Sequence, residues 1–227
     1  MHVIGESQRN FFLELYREHG DDPLATSHGG REAQLERYRR LAMSFVSEQG
    51  SFDVHDVGCG LGHFGDFLTE RWPDARYSGS EICAEFVDLC RQRMPEAEFA
   101  VRNLADETPS DRYDWVVACG IFNNRLDVEK EDWQEFVYSM LQSMFTMAKK
   151  GIAVDFLTTY HDSQLSRSDL HYQDEKALLD FVNSQLSRHY ELDMSGPLYE
   201  YTLRIYRSEH VRALHGGREL ERYFHGR

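Results

Sequence analysis

"DVGCGLGHFG" runs from Asp56 to Gly65, with glycines at 58, 60, 62 and 65, between the apolar-centred "FDVH" and the helical pattern of "DFLTERWP". Glycine is what a chain uses where its backbone must turn into positive φ or pass very close to another group. A short apolar run, a glycine cluster and a helix start read together as strand, tight turn and helix. The helix start near His63 offers unpaired N–H groups and the positive end of its dipole. In an open parallel sheet, ligands bind beyond the carboxyl ends of the strands. The stretch therefore predicts both an α/β fold and the place of its binding site.

The pattern continues outward in alternation. "ARYSGSE" and "AEFAVRN" read as strands, with the helix "CAEFVDLCRQRMP" between them. "YDWVVACGIF" and "IAVDFL" have little alternation, as expected of strands covered on both faces. They flank the long helix "EDWQEFVYSMLQSMFTMAKKG", which Gly151 stops. Strands and helices alternating at this spacing imply a parallel sheet with helices on both sides. After the helix "HYQDEKALLDFVNSQLS", two alternating strands, "HYELDMS" and "EYTLRIYR", form a terminal hairpin. The total is seven strands.

Ahead of the first strand, "SQRNFFLELYREHG" and "REAQLERYRRLAMSFVSEQ" read as amphipathic helices separated by the turn chemistry of "DDPLATSHGG". The organisation is thus a helical lid over residues 1–50, a core over 51–207 and a tail over 208–227. "HGGREAQLERY" (His28 to Tyr38) is echoed by "HGGRELERY" (His215 to Tyr223) with no period linking them, so repeat architecture is not implied.

The chain has 227 residues, 41% hydrophobic and 28% charged, enough for one globular core. Its net charge of −14 opposes phosphate backbones, and the basic run "RYRR" (Arg37 to Arg40) reads as one solvated helix face. No apolar run is long enough to span a bilayer, and the N-terminus lacks a signal-peptide pattern. No nucleic-acid or membrane partner and a cytoplasmic location are expected. Cys59, Cys83, Cys90 and Cys119 form no CxxC pair, so reduced, mostly buried thiols are expected, with no metal.

Two cofactor classes use such a glycine turn. Gly60, Gly62 and Gly65 fit the dinucleotide fingerprint G-x-G-x-x-G. The fuller string from Asp56 through Gly58, Cys59 and Gly60 to Gly62 is more specific. It resembles the first motif, D/E-x-G-x-G-x-G, of class I S-adenosylmethionine-dependent methyltransferases. Glu81 closes the second strand, about 20 residues on, where either class needs an acceptor for ribose hydroxyls. The resemblance covers Arg31 to Arg207 and implies a Rossmann-like, doubly wound, seven-stranded mostly parallel sheet with an antiparallel C-terminal hairpin. It also implies S-adenosylmethionine as cofactor, held by Asp56, Gly58, Cys59, Gly60, Gly62, Glu81, Ile82, Asn103, Leu104 and Cys119. Tyr16 and Arg37 of the lid are expected at the cofactor's carboxylate, for which a guanidinium is well suited.

Methyl transfer from a sulfonium needs alignment above all, and a base only where the acceptor carries a proton. The motif D/N-P-P-Y of nucleobase amino-methyltransferases is absent, since "CGIFNN" follows the fourth strand. Asn123 and Asn124 are neutral there, which opposes a metal. The segment after the fifth strand concentrates Tyr160, His161, Asp162, His171 and Tyr172. His161 is the candidate base. The expected reaction is methylation of a small molecule at oxygen or nitrogen. An NAD(P)-dependent oxidoreductase and a non-catalytic S-adenosylmethionine-binding protein remain the alternatives, and a homodimer stays open.

Overall fold

The computed structural model describes residues 2–107, 110–215 and 219–224. The apolar runs form β1 (Asp53–Val57), β2 (Arg76–Glu81), β3 (Glu98–Val101), β4 (Tyr113–Ala118), β5 (Ala148–Thr158), β7 (Tyr190–Asp193) and β8 (Glu200–Tyr206). They lie in the order β3-β2-β1-β4-β5-β8-β7. β1 to β5 are parallel, whereas β8 runs antiparallel to β5 and β7 antiparallel to β8. An eighth strand, the two-residue β6 (Tyr172–Gln173), was not expected. It pairs with Leu157 and Thr158 of β5, beyond the point where pairing with β4 ends at Val154. The fold is a Rossmann-like α/β sheet with the antiparallel hairpin at its end.

Helices cover both faces because the strands are apolar on both. α2 (Arg31–Ala42), α3 (His63–Arg71) and α4 (Ala84–Arg93) pack on one side, where Leu41, Phe64, Phe67, Leu68 and Val87 meet Val54, Trp115, Val117 and Ala153. α5 (Lys130–Met147) and α6 (Glu175–Phe181) cover the other, with Trp133, Val137, Leu141 and Leu178 against Val116, Ile152, Val154 and Leu203.

The first 50 residues form α1 (His2–His19), α2 and two short 3₁₀ turns. α1 begins earlier than the amphipathic pattern suggests, since Ile4 is drawn into the cluster of Leu104, Phe136 and Met140. It crosses the carboxyl ends of the parallel strands, with Gln8 Nε2 donating to Asn124 O at 2.7 Å and Arg9 paired to Glu85. α2 stops sooner than expected and tightens into a 3₁₀ turn, Met43–Phe45, which delivers Phe45 between Phe52 and Trp72.

The run Arg37 to Arg40 is not a solvated face. Tyr38 is buried, Arg37 is paired to Glu200, and Arg40 is paired to Asp193 at 3.0 Å and to Glu36. Only Arg39 is mostly exposed. Within the tail, α7 (Ser208–His215) lays His210 edge-on against Trp115. The first copy of the "HGGRE" echo is the turn into α2, while 216–218 of the second lie outside the described residues. All four cysteines are free, with Cys59, Cys83 and Cys90 buried and Cys119 half-buried.

Candidate active site

Above the carboxyl ends of β1, β2 and β4, and beneath α1, lies a cleft enclosing about 980 Å³ of empty space, part of it open to solvent. The glycine turn forms its floor. Gly58, Gly60 and Gly62 all take positive φ, at 71°, 53° and 80°, a conformation that side chains other than glycine's disfavour. At Gly58 a Cβ would come within 2.4 Å of Ile121 Cγ2 across the cleft. The turn feeds α3 directly, with Gly62 as its cap.

Two buried carboxylates lie beside this turn, and Glu81 braces it. Glu81 Oε2 accepts from Gly60 N at 3.1 Å, while Oε1 accepts from Ile82 N at 2.6 Å and Cys83 N at 3.1 Å. Burial raises its pKa against the pull of these bonds. Asp56 Oδ2 accepts from Tyr77 OH at 2.7 Å. Burial, with a smaller push from Glu81, raises Asp56 to about 7. A ligand offering hydroxyl or ammonium donors would relieve both groups. Oε2 of Glu81 keeps room for one more donor, because each carboxylate oxygen accepts two.

Of the residues expected from sequence, Asp56, Gly58, Cys59, Gly60, Glu81, Ile82, Asn103, Leu104 and Cys119 line this cleft. Asn103 shares its side chain with local groups, donating to Asp106 Oδ2 and accepting from Ala105 N. Burial and the nearby Asp155 hold the Cys119 thiol well above its usual pKa.

Four expected residues do not reach the cleft. Gly62 lies under the turn, where a Cβ would meet Met94 and Cys90. Tyr16 packs edge-on against Phe86, its ring centroid 5.5 Å away. Arg37 lies behind His28 and is occupied by Glu200. His161 stacks on Tyr172 at 3.9 Å, with Nδ1 donating to Thr158 O at 3.0 Å. The rest of its segment does not line the cleft either. Asp162 accepts from Tyr199 OH, Tyr160 is exposed, and His171 faces Gln173.

The structure adds residues that the sequence reading passed over, Ile4 and Gln8 of α1, Thr26 and His28 of the following turn, and Gly120 and Ile121 after β4, and it brings Phe12, whose pattern reads as helix core, to the lining as well. His28 was visible only as a histidine in turn chemistry and in the "HGGRE" echo. Its proximity to the cleft depends on how α2 docks, which no local pattern encodes. Among the described residues no group of three or more His, Cys, Asp or Glu is placed to hold a metal ion, and no helix is long and apolar enough to cross a membrane.

A glycine-turn cleft of this kind at the end of a parallel sheet defines a nucleoside-binding α/β enzyme. Comparison with known proteins narrows that class. The profile of the family described as a methyltransferase domain matches residues 54–151. A Mycobacterium tuberculosis protein named as a methyltransferase is 30% identical over 167 residues, covering 72% of this chain and 98% of that protein. The malonyl-[acyl-carrier protein] O-methyltransferase of Acetivibrio thermocellus is 27% identical over 60% of this chain, which spans 45% of that enzyme's length. In shape, the N-methyltransferase NodS of Bradyrhizobium japonicum, solved with S-adenosyl-L-homocysteine, superposes with a TM-score of 0.63 at 15% identity, over 87% of this chain and 98% of that one. The chain belongs to the class I S-adenosylmethionine-dependent methyltransferases.

Proposed function

We propose that the protein transfers the methyl group of S-adenosylmethionine to an oxygen or nitrogen of a small molecule. The observation that carries this reading is the convergence of Glu81 with the left-handed glycine turn at one end of the cleft. The residues fit the cofactor: a cradle that a Cβ at Gly58 would crowd, and room on Glu81 Oε2 for a ribose hydroxyl. Ile82 and Leu104 supply apolar walls for a base, and Cys59, Gly60 and Cys119 line the path between the two strand ends. Names of relatives that include O- and N-methyltransferases support the acceptor classes.

The bound cofactor supplies an electrophilic sulfonium methyl. The chain's own contribution is alignment. The glycine turn and Glu81 fix one reactant, and α1, held by Gln8 and Ile4, shields the cleft from water. Calorimetry with S-adenosylhomocysteine and with NAD tests the reading. Binding of the former alone supports it, and binding of NAD alone reassigns the chain to hydride transfer. Release of S-adenosylhomocysteine with an acceptor panel separates an enzyme from a binding protein.

A further inference from the structure

We infer that His28 presents a fixed N–H donor to a carboxylate of the bound reactants, and that it serves there as a donor and not as a base. The inference rests on the methyltransferase reading. The carboxylate belongs either to the acceptor or to the methionine part of the cofactor.

His28 sits in the turn before α2, next to Ser27, whose hydroxyl donates to Asn124 Oδ1. Its ring is buried yet lines the cleft. Nδ1 lies 2.9 Å from Arg37 Nη1. A guanidinium has only donors, so Nδ1 must be the accepting nitrogen, and the proton of the neutral ring is on Nε2. Arg37 cannot turn to offer anything else. Its Nε donates to Glu200 Oε2 at 2.7 Å, its Nη2 to Glu200 Oε1, and its Nη1 also to His28 O at 3.0 Å. The far side of the ring is thus locked from α2 and β8.

The near side is free. Among the described residues no acceptor meets Nε2. Cε1, beside Nε2 in the ring, lies 3.6 Å from where a Cβ on Gly120 would stand, on the wall opposite the glycine turn. The groups facing the ring are Arg37, His63 and the edge-on Tyr38. Burial first, then the Arg37 charge and a smaller effect of His63, push His28 down to about 3. The ring therefore stays neutral over the working range of pH.

The ring lines the cleft and Nε2 is not sealed away, so a ligand oxygen entering the cleft can take the place of water on this N–H. An ammonium group offers only donors and would face Nε2–H unfavourably, whereas a carboxylate accepts. A carboxylate acceptor also needs no proton removed before attack on the methyl group. A neutral donor matches that chemistry, and a base would be superfluous.

The test uses the full chain as wild type, His28→Ala and His28→Gln. Calorimetry measures S-adenosylhomocysteine and 5′-methylthioadenosine, which lacks the amino-acid carboxylate. Turnover is followed with panels of carboxylic acids and amines. If the cofactor's carboxylate is bound, His28→Ala weakens S-adenosylhomocysteine by about 10- to 100-fold, the loss of a hydrogen bond to a charged group, and leaves 5′-methylthioadenosine unchanged. If the acceptor's is bound, both nucleosides bind normally and carboxylic-acid turnover falls through KM. His28→Gln, which keeps an N–H donor, recovers most of either loss. Imidazole ¹⁵N spectra of the wild type give a check independent of variant folding: the Nε2–H tautomer should persist from pH 5.5 to 8.5. Turnover of amines alone leaves only the cofactor's carboxylate as the partner, and a ring that titrates in that range, or His28→Ala with unchanged nucleoside affinities and no effect on carboxylic-acid turnover, overturns the inference. Failure of the wild type to bind S-adenosylhomocysteine overturns the methyltransferase reading instead.

Discussion

The Arg37 guanidinium on α2 donates to both carboxylate oxygens of Glu200 on β8, a residue 163 positions later in the chain. Both side chains are about nine-tenths buried. Asp155 Oδ1 accepts from Gly120 N, whereas its Oδ2, 3.9 Å from Arg37 Nε, accepts no hydrogen bond. Two buried carboxylates thus share one cation. Burial and Glu200 together raise Asp155 to about 6. Arg37→Met would leave both uncompensated and should cost about 3–5 kcal/mol in urea unfolding at pH 8. A carboxyl raised in the folded state takes up a proton on folding below that pKa, so the loss should shrink at pH 5.5. An equal loss at both pH values would show that Arg37 acts through packing alone.

Glu81 has two tasks, and its variants should separate them. Glu81→Ala removes the acceptor for a ribose hydroxyl and also leaves the N–H groups of Gly60, Ile82 and Cys83 without a partner. S-adenosylhomocysteine affinity should fall by about 10- to 100-fold, and the apo protein should melt several degrees lower. Glu81→Gln keeps one accepting oxygen and should lose affinity with a smaller fall in melting temperature. Unchanged affinity in a folded Glu81→Gln would remove this residue from the binding site.

The glycine turn offers a sharper contrast. Gly58→Ala would place a methyl 2.4 Å from Ile121 Cγ2 at a φ of 71°, so the turn and the facing wall of the cleft must shift. Binding of S-adenosylhomocysteine should be lost. Gly50→Ala makes the matched control, since Gly50 has a φ of 72° with nothing near its Cβ position. That substitution should cost about 1 kcal/mol of stability, as expected of a left-handed alanine, and leave affinity intact. Calorimetry and thermal melts on both variants decide it; a Gly58→Ala that binds normally would mean that the turn is purely structural.

The sheet, the hairpin and the glycine turn were legible because strand burial and turn chemistry are local signals. Asp56, Glu81 and the glycines could be read for the same reason. Arg37 shows the limit. As one of three arginines within Arg37 to Arg40 it looks solvated, and only the docking of α2 against β8 makes it a buried ion pair. His28 joins the cleft through that same docking. His161, plausible from its place beyond β5, is turned aside because Tyr172 of the unexpected β6 stacks on its ring. The Arg37–Glu200 pair spans 163 positions, and even the stacking of Tyr172 on His161 depends on β6 pairing with β5, which no local pattern encodes.

Asp56 sets stability against binding. Its folded pKa of about 7 lies above the usual carboxylate value, so the folded state holds a proton that the unfolded state releases between about pH 4 and 7. Its charged form therefore penalises the apo fold most above pH 7, and the penalty fades as pH falls toward 4. His28 and His55 work in the opposite direction. Both are held neutral, at about 3 and about 4, and cost stability below the unfolded histidine value near 6.5. The wild-type profile mixes these effects, so the difference between wild type and Asp56→Asn isolates Asp56. Asparagine can still accept from Tyr77 OH through its amide oxygen. The variant should melt several degrees higher than wild type at pH 8, with the gain vanishing near pH 4.5. Lacking the charge, it should also bind S-adenosylhomocysteine more weakly, a trade of function for stability. Thermal melts across pH 4.5 to 8.5 and calorimetry at pH 8 test both halves. A stabilisation independent of pH would place the effect in packing and remove the Asp56 charge from the balance.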